Sequence, residues 1–226
     1  PYNYQAKFES TDAEAAIVIE DNGSTNDGNR IGVISDVMAF TTANAERMRI
    51  DSSGNVGIGT SSPSTNLHLH TDANGEGVLI KSTGDTSNAL TFDANRGADG
   101  VIGVAYGRWN GTTVAQMSFV SGSDGTNKDD GIITFGTESA ASNGNVNATE
   151  RMRLDSSGRL LLGTTTKGQA DADDLTVANS GSGGITIRAG ASHNANIFFS
   201  DATSGSAEYA GYLQYKHDSD RLDFGT

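Results

Sequence analysis

The chain has 226 residues, no Cys, and 28 acidic against 15 basic side chains, for a formal net charge of −13. A phosphate backbone rewards clustered Lys and Arg, so this balance argues against nucleic acid or an anionic membrane surface as a partner. Without Cys there are no disulfides and no thiol chemistry.

Glycine is in excess, at roughly 13% against a usual value near 7%. Ile, Val, Leu and Phe together reach only about 19%, which with this charge is the composition of a disordered chain. The strand alternation described below is too regular for disorder. The resolution we expect is that each strand offers a thin apolar stripe and other copies of the chain supply the remaining burial. No run of 18 apolar residues and no secretory signal stands in the sequence, so membrane insertion is not expected. A start at Pro1 without Met suggests a fragment or a processed piece.

In chain order, the first unit, residues 1–60, carries AAIVIE (15–20) and RIGVISDVMAF (30–40), then the segment ERMRIDSSGNVGIGT (46–60). Residues 11–16 could form one helical turn at most. The second unit, residues 61–164, opens on the linker Ser61-Ser62-Pro63-Ser64. It carries NLHLH, GVLIK, NALTFD, GVIGVAY, TTVAQMSFV and GIITFG, then ERMRLDSSGRLLLGT (150–164). The third unit, residues 165–226, begins with a polar linker and carries DLTVA, GITIR, NIFFS, EYAGYLQY and RLDF. It stops where a third cassette would be expected. Nearly every candidate strand is four to nine residues long and bounded by Gly, Asn, Asp, Ser or Thr, so the fold class is all-β.

The two cassettes lie 104 residues apart and are identical at ten of fifteen positions. Such repetition points to an array and not to a compact enzyme with one active site. In the first copy Met48 and Ile50 alternate with Arg47 and Arg49, and Val56 and Ile58 alternate with Asn55 and Gly57. This is the period of a half-buried strand. Asp51-Ser52-Ser53-Gly54 between them reads as a turn, with Asp accepting local backbone N–H groups and Gly54 at positive φ. Met152, Leu154, Asp155-Ser156-Ser157-Gly158, Leu160 and Leu162 repeat the hairpin. Arg47, Arg49, Arg151 and Arg153 are expected opposite the apolar face, in inter-strand or inter-chain pairs with Glu46, Asp51, Glu150 and Asp155. Exposed pairs of this kind are worth under about 1 kcal/mol each.

Motifs for chemistry are weak. Gly57-Ile58-Gly59 lacks the third glycine of a dinucleotide fingerprint, and the glycines at 158 and 163 are followed by Thr164 where a phosphate loop needs Lys. The stretch from Asp72 to Thr83 begins like a calcium loop but ends on Thr where a bidentate Glu is required. Asn22, Asn110 and Asn147 head glycosylation-type triplets and read as turn residues. The segments 121–131 and 137–149 read as solvated polar loops. No Ser stands in a nucleophile elbow, and the carboxylates sit mostly in turns, so no catalytic centre, cofactor or metal is expected. Tyr106, Arg108 and Trp109, read as a loop after a strand, are the candidate receptor contacts. An exposed Trp there could stack on a sugar ring, although a Trp so placed more often caps the end of a small core.

The run from 46 to 70, ERMRIDSSGNVGIGTSSPSTNLHLH, resembles the repeated stalk sequence of bacteriophage tail fibres, especially those of phages infecting marine bacteria and cyanobacteria. The second cassette and residues 211–226 are similar to the same family's repeat edges. The resemblance implies an elongated, intertwined homotrimer on the virion, outside the host cell, joined to other phage tail proteins. Its role would be that of a shaft linking the particle to a receptor-binding tip. It also implies, for some fibres of related architecture, iron held on the trimer axis by His-x-His pairs. His68 and His70 have that spacing, but placing them inward would turn Leu67 and Leu69 to water, so no metal is expected. Two alternatives stand beside the shaft: a module binding a host surface glycan or protein, and a polysaccharide-cleaving spike whose carboxylates meet only in space.

Overall fold

The computed structural model describes residues 7–23, 28–73, 76–85, 87–95, 97, 99–139 and 147–226. Its strands are β1 (Glu14–Val18), β2 (Arg30–Ile34), β3 (Val37–Thr42), β4 (Ala45–Ile50), β5 (Val56–Ile58), β6 (Leu67–Leu69), β7 (Val101–Trp109), β8 (Thr112–Ser121), β9 (Gly131–Thr137), β10 (Glu150–Leu154), β11 (Leu160–Leu162), β12 (Leu175–Val177), β13 (Asn194–Phe199), β14 (Gly211–Lys216) and β15 (Arg221–Gly225). A single 3-10 turn, Ser206–Tyr209, is the one helical element among the described residues, and the class is all-β as expected. The chain divides into two compact units, 1–89 and 90–226.

The first unit holds one six-stranded sheet in the order β1-β2-β3-β4-β5-β6. Strands β1 to β5 form an antiparallel meander, and β6 adds parallel to β5. In the second unit β7 to β12 repeat this plan, with an antiparallel meander closed by the parallel pair β11–β12. A three-stranded antiparallel sheet, β13-β14-β15, completes the second unit. Its plan is that of β1-β2-β3, a first strand followed by a tight hairpin, so the internal repetition extends beyond the cassettes.

The cassettes fold as hairpins with the expected turn. Gly54 and Gly158 stand at φ 84° and 81°. Gly54 donates to the Asp51 carbonyl at 2.9 Å, and the Asp51 carboxylate accepts from the backbone of Ser53 and Asn55, both at 2.9 Å. Asp155 does the same for Ser157 at 2.9 Å and Arg159 at 3.1 Å.

The arginines depart from the expectation. Thr41 pairs with Glu46 and Phe40 with Met48, so Arg47 is the extra residue of a β-bulge; Arg151 is its counterpart between Glu150 and Met152. The bulge turns Glu46 onto the face of Arg49, three residues on, and the two form a two-pronged ion pair at 2.5 and 2.6 Å. Arg153 and Glu150 repeat it at 2.6 and 2.8 Å. These pairs lie within one strand, not between strands, because the extra residue breaks the period of two. Arg47 reaches the Thr42 hydroxyl instead, at 3.2 Å.

Ladder register assigns every strand residue to a face. In the first sheet one row runs Ile17, Ile31, Phe40, Met48, Ile58, Leu69, and the next runs Ala15, Val33, Met38, Ile50, Val56, Leu67. All of these are apolar and none is buried; Leu67 is 63% exposed. The opposite face carries mostly small and polar residues, with Val18, Ile34 and Val37 among them, and there Gly32, Ala39, Thr41 and Gly57 are buried. The second sheet repeats this inversion. Phe119, Ile133, Leu154, Leu160 and Leu175 form an apolar row of which none is buried, whereas Ser118 and Leu161 on the other face are each 1% exposed. In the third sheet Ile197, Leu213 and Phe224 share a face, with Phe224 78% exposed.

Three expected strands are absent. GVLIK (77–81), NALTFD (88–93) and GITIR (184–188) join no ladder, and Val78, Leu79, Leu90 and Ile185 are exposed. Their alternation is that of strands, but they take no place at the open edges of the three sheets; Phe92 instead stacks on the face of the second sheet, its ring centre 5.6 Å from that of Phe119. Residues 11–16, read as one helical turn at most, instead enter β1 from Glu14 onward.

Candidate functional site

The most extended surface feature is the set of apolar sheet faces, which the chain itself covers only in part, as where Phe92 stacks on Phe119 with ring centres 5.6 Å apart. The chain exposes 17027 Å², whereas a compact monomer of its mass exposes roughly 9,700 Å² and two separate globules of half that mass roughly 11,700 Å². The excess, on the order of 5,000 Å², is of the size that large obligate interfaces bury. Exposed apolar side chains stand both on the sheets, as Ile17, Leu67 and Phe224, and on segments outside any ladder, as Val78, Leu79 and Leu90.

Tyr106, Arg108 and Trp109 lie within β7, not in a loop, because the strand continues to a two-residue turn at Asn110 and Gly111. Those residues stand at φ 47° and 84°, the positive values that the tightest hairpin turn requires. Asn110 is thus a turn residue, as its triplet suggested. Tyr106 and Arg108 are two apart and share the polar face, where the Arg108 guanidinium lies 4.9 Å from the centre of the Tyr106 ring. The Tyr106 hydroxyl donates to the Asn147 side-chain oxygen at 3.0 Å. Trp109 is 74% exposed and has no described contact with either, so the triad divides into a pair and a single residue. At the tip of a hairpin it caps no core among the described residues.

Leu67 and Leu69 lie on the apolar face, as expected, but that face is not the buried one: Leu67 is 63% exposed, whereas His68 is half-buried. Leu67 and Leu69 pair with Val56 and Ile58 on the apolar face, and His68 pairs with Gly57 on the other. The two imidazoles stand edge to face at 6.4 Å, and His68 Nδ1 accepts from the Ser64 backbone at 3.4 Å. Among the described residues no group of three or more His, Asp or Glu side chains is arranged to hold a metal. The calcium-like stretch from Asp72 includes positions 74 and 75, the triplet at Asn22 includes Ser24, and the loop 137–149 includes 140–146; these lie outside the described residues.

Loop 121–131 is ordered by its own carboxylates. Asp124 accepts from Thr126 at 2.8 Å and Asn127 at 3.1 Å, and these backbone hydrogen bonds hold its carboxyl below the usual range. The Asp130 carboxylate accepts from the Asp124 backbone at 3.1 Å. These carboxylates close a loop, and a turn is sufficient reason for them.

Sequence reasoning passed over Gly59 and Gly163. They stand at φ 73° and 72°, and each donates to the carbonyl of a bulged arginine, Arg47 at 3.0 Å and Arg151 at 2.9 Å. A Cβ on Gly59 would collide with the His70 carbonyl oxygen, and one on Gly163 with that of Ala178. The signal was present as the shared Gly-Thr that ends both cassettes. No helix among the described residues is long and apolar enough to cross a membrane, which says nothing of membrane crossing by strands. No family model matches this chain, and no curated protein matches it.

Proposed function

We propose that this chain is a structural shaft segment of a phage tail fibre, a homotrimer that links the virion to a host-receptor-binding tip. The observation that carries the proposal is the repeated apolar sheet face, which the chain itself covers only in part: Phe92 stacks on Phe119, yet no residue of the apolar rows is buried. A face of this kind is stable in water only when another surface covers it. Trimeric stoichiometry and the phage setting come from the resemblance of residues 46–70 and 150–164 to fibre stalks. The chain acts mechanically and not as an enzyme: packed faces, and strands such as 77–81 and 184–188 shared between copies, give rigidity and slow unfolding. Its partners are its own copies and neighbouring tail proteins, and its place is the virion, outside the host cell.

Light scattering of the refolded chain should give three times 23.4 kDa. A compact monomer at micromolar concentration would sink the proposal. A glycan- or protein-binding module is the second reading, favoured by the exposed Tyr106–Arg108 pair braced by Asn147. Binding to host surface glycan that is lost on Tyr106→Ala would favour it over a bare shaft. No observation favours polysaccharide cleavage.

A further inference from the structure

Strand parity separates Trp109 from its neighbours. Ala105 pairs with Met117, which pairs with Phe135, so Ala105 lies on the apolar face. Gly107 and Trp109 follow at two-residue steps and project to that same side, with Trp109 about 13 Å beyond Ala105 along the strand. The bulge nearby leaves this parity intact because its extra residue, Val114, is in β8. The β8–β9 ladder ends at the pair Ala115 and Thr137, so the hairpin tip carrying Trp109 extends past β9. The tip is held by a two-residue turn, and the indole is 74% exposed, without cover among the described residues.

The occupant of this face is a second copy of the chain. The face recurs along one chain in successive sheets, and the partner whose own surface repeats with the same period is another copy. In a closed cyclic trimer each copy offers the same patches, and those beside the axis meet their own counterparts. Large apolar side chains of these faces stand exposed, among them Ile17, Leu67, Ile197 and Phe224, and a second copy would cover them. Trp109 continues that face, and a large side chain with few rotatable bonds on a rigid hairpin is the residue type that dominates such contacts.

We infer, on the footing of the self-association proposed above, that Trp109 anchors the contact between copies of this chain, while Tyr106 and Arg108 remain on the solvent side. This reassigns one of the three candidate receptor contacts to assembly.

The chain contains one Trp, so indole fluorescence reports on this residue alone. Emission and acrylamide quenching are measured across a dilution series, with sedimentation velocity on the same samples. The assembled wild type should show blue-shifted, shielded emission, shifting to the red as the mass falls. Trp109→Ala should raise the concentration of half-assembly by about tenfold or more, with Trp109→Phe intermediate and Tyr106→Ala and Arg108→Ala within about twofold of wild type. Circular dichroism checks that each variant keeps its strands. If Trp109→Ala fails to fold, quenching of the undissociated wild type decides by itself. Assembled protein with a fully quenchable indole, or a folded Trp109→Ala that assembles like wild type, would overturn the anchor and leave self-association standing. A chain that sediments as a monomer throughout would overturn both.

Discussion

The two cassette hairpins share ten residues of fifteen, the same Asp turn, the same bulged arginine and the same intra-strand Glu–Arg pair, yet they are tied to their surroundings differently. In the first, Asn55 donates to Asp51 at 3.1 Å and goes no further. In the second, Arg159 stands in its place, donates to Asp155 at 2.8 Å, and reaches Asp173 at 3.2 Å, where Lys167 joins at 3.3 Å. The middle residue of the second strand also differs in its neighbours. Gly57 has the Thr60 carbonyl so close that a Cβ would collide, whereas Leu161 is fully buried. The cause lies in the connection that follows, eight residues (59–66) in the first copy and twelve (163–174) in the second. In the longer one Gly168 donates to the Thr176 hydroxyl at 2.9 Å, over the row that contains Leu161. A hairpin can therefore be duplicated intact while its outer face is redesigned by the length of one loop.

The largest effect expected from this difference is at its centre. Leu161→Ala should cost about 2–4 kcal/mol, the usual range for emptying a filled site. Gly57→Leu, which copies the second cassette into the first, should destabilise and not rescue, since the short connection leaves no space. Equal and small effects in urea denaturation would break the comparison.

Next come the glycines that the two copies share. Gly59→Ala and Gly163→Ala each combine a left-handed φ with a collision against a carbonyl, for about 2–3 kcal/mol. Gly54→Val meets no neighbour and should cost only the conformational strain, about 1–2 kcal/mol. A Gly54 variant harmed more than a Gly59 variant, by thermal midpoint, would mean that the turn and not the parallel pair limits stability.

Smaller still is the charge exchange. Arg159→Asn should lower the thermal midpoint slightly, and the loss should vanish at high salt. Asn55→Arg should gain nothing, because Thr65 occupies the place of Asp173; the double change with Thr65→Asp should recover a gain.

The smallest effects concern pH. The Asp51 carboxyl is held below its usual range chiefly by the Asn55 backbone N–H. Burial pushes the Asp155 carboxyl up, but hydrogen bonds from the Arg159 side chain and backbone outweigh it and leave it lowered. In the third sheet, hydrogen bonds from Arg221 and then Lys216 hold Asp223 at about 2. All three are depressed in the folded state, so the stability they contribute is present above the unfolded value near 3.8. It is lost as pH falls through the folded value; for Asp223 that window runs from about 4 to about 2. Carboxyl titration by NMR at two salt concentrations sharpens the contrast. Asp155 should move up in salt and Asp51 should hold, because an ion pair is screened and a backbone hydrogen bond is not.

Local chemistry alone determined the cassette hairpins, their positive-φ glycines, the all-β class and the direction in which Leu67 and Leu69 face. Each of these follows from a turn residue or a period of two within a few neighbouring positions. Only the tertiary structure decided the rest. The bulges at Arg47 and Arg151 appear when two strands are paired, since one extra residue on one side has no signature in its own strand. The need for glycine at 59 and 163 comes from carbonyls eleven and fifteen residues further along, brought close by the parallel strands β6 and β12. The segments 77–81, 88–93 and 184–188 have a strand's alternation but no ladder, because periodicity does not decide whether a segment pairs at a sheet edge or packs across a sheet face, as Phe92 does on Phe119. The division of Tyr106 and Arg108 from Trp109 likewise depends on a strand running on to its turn at Asn110, which ladder pairing establishes and composition does not.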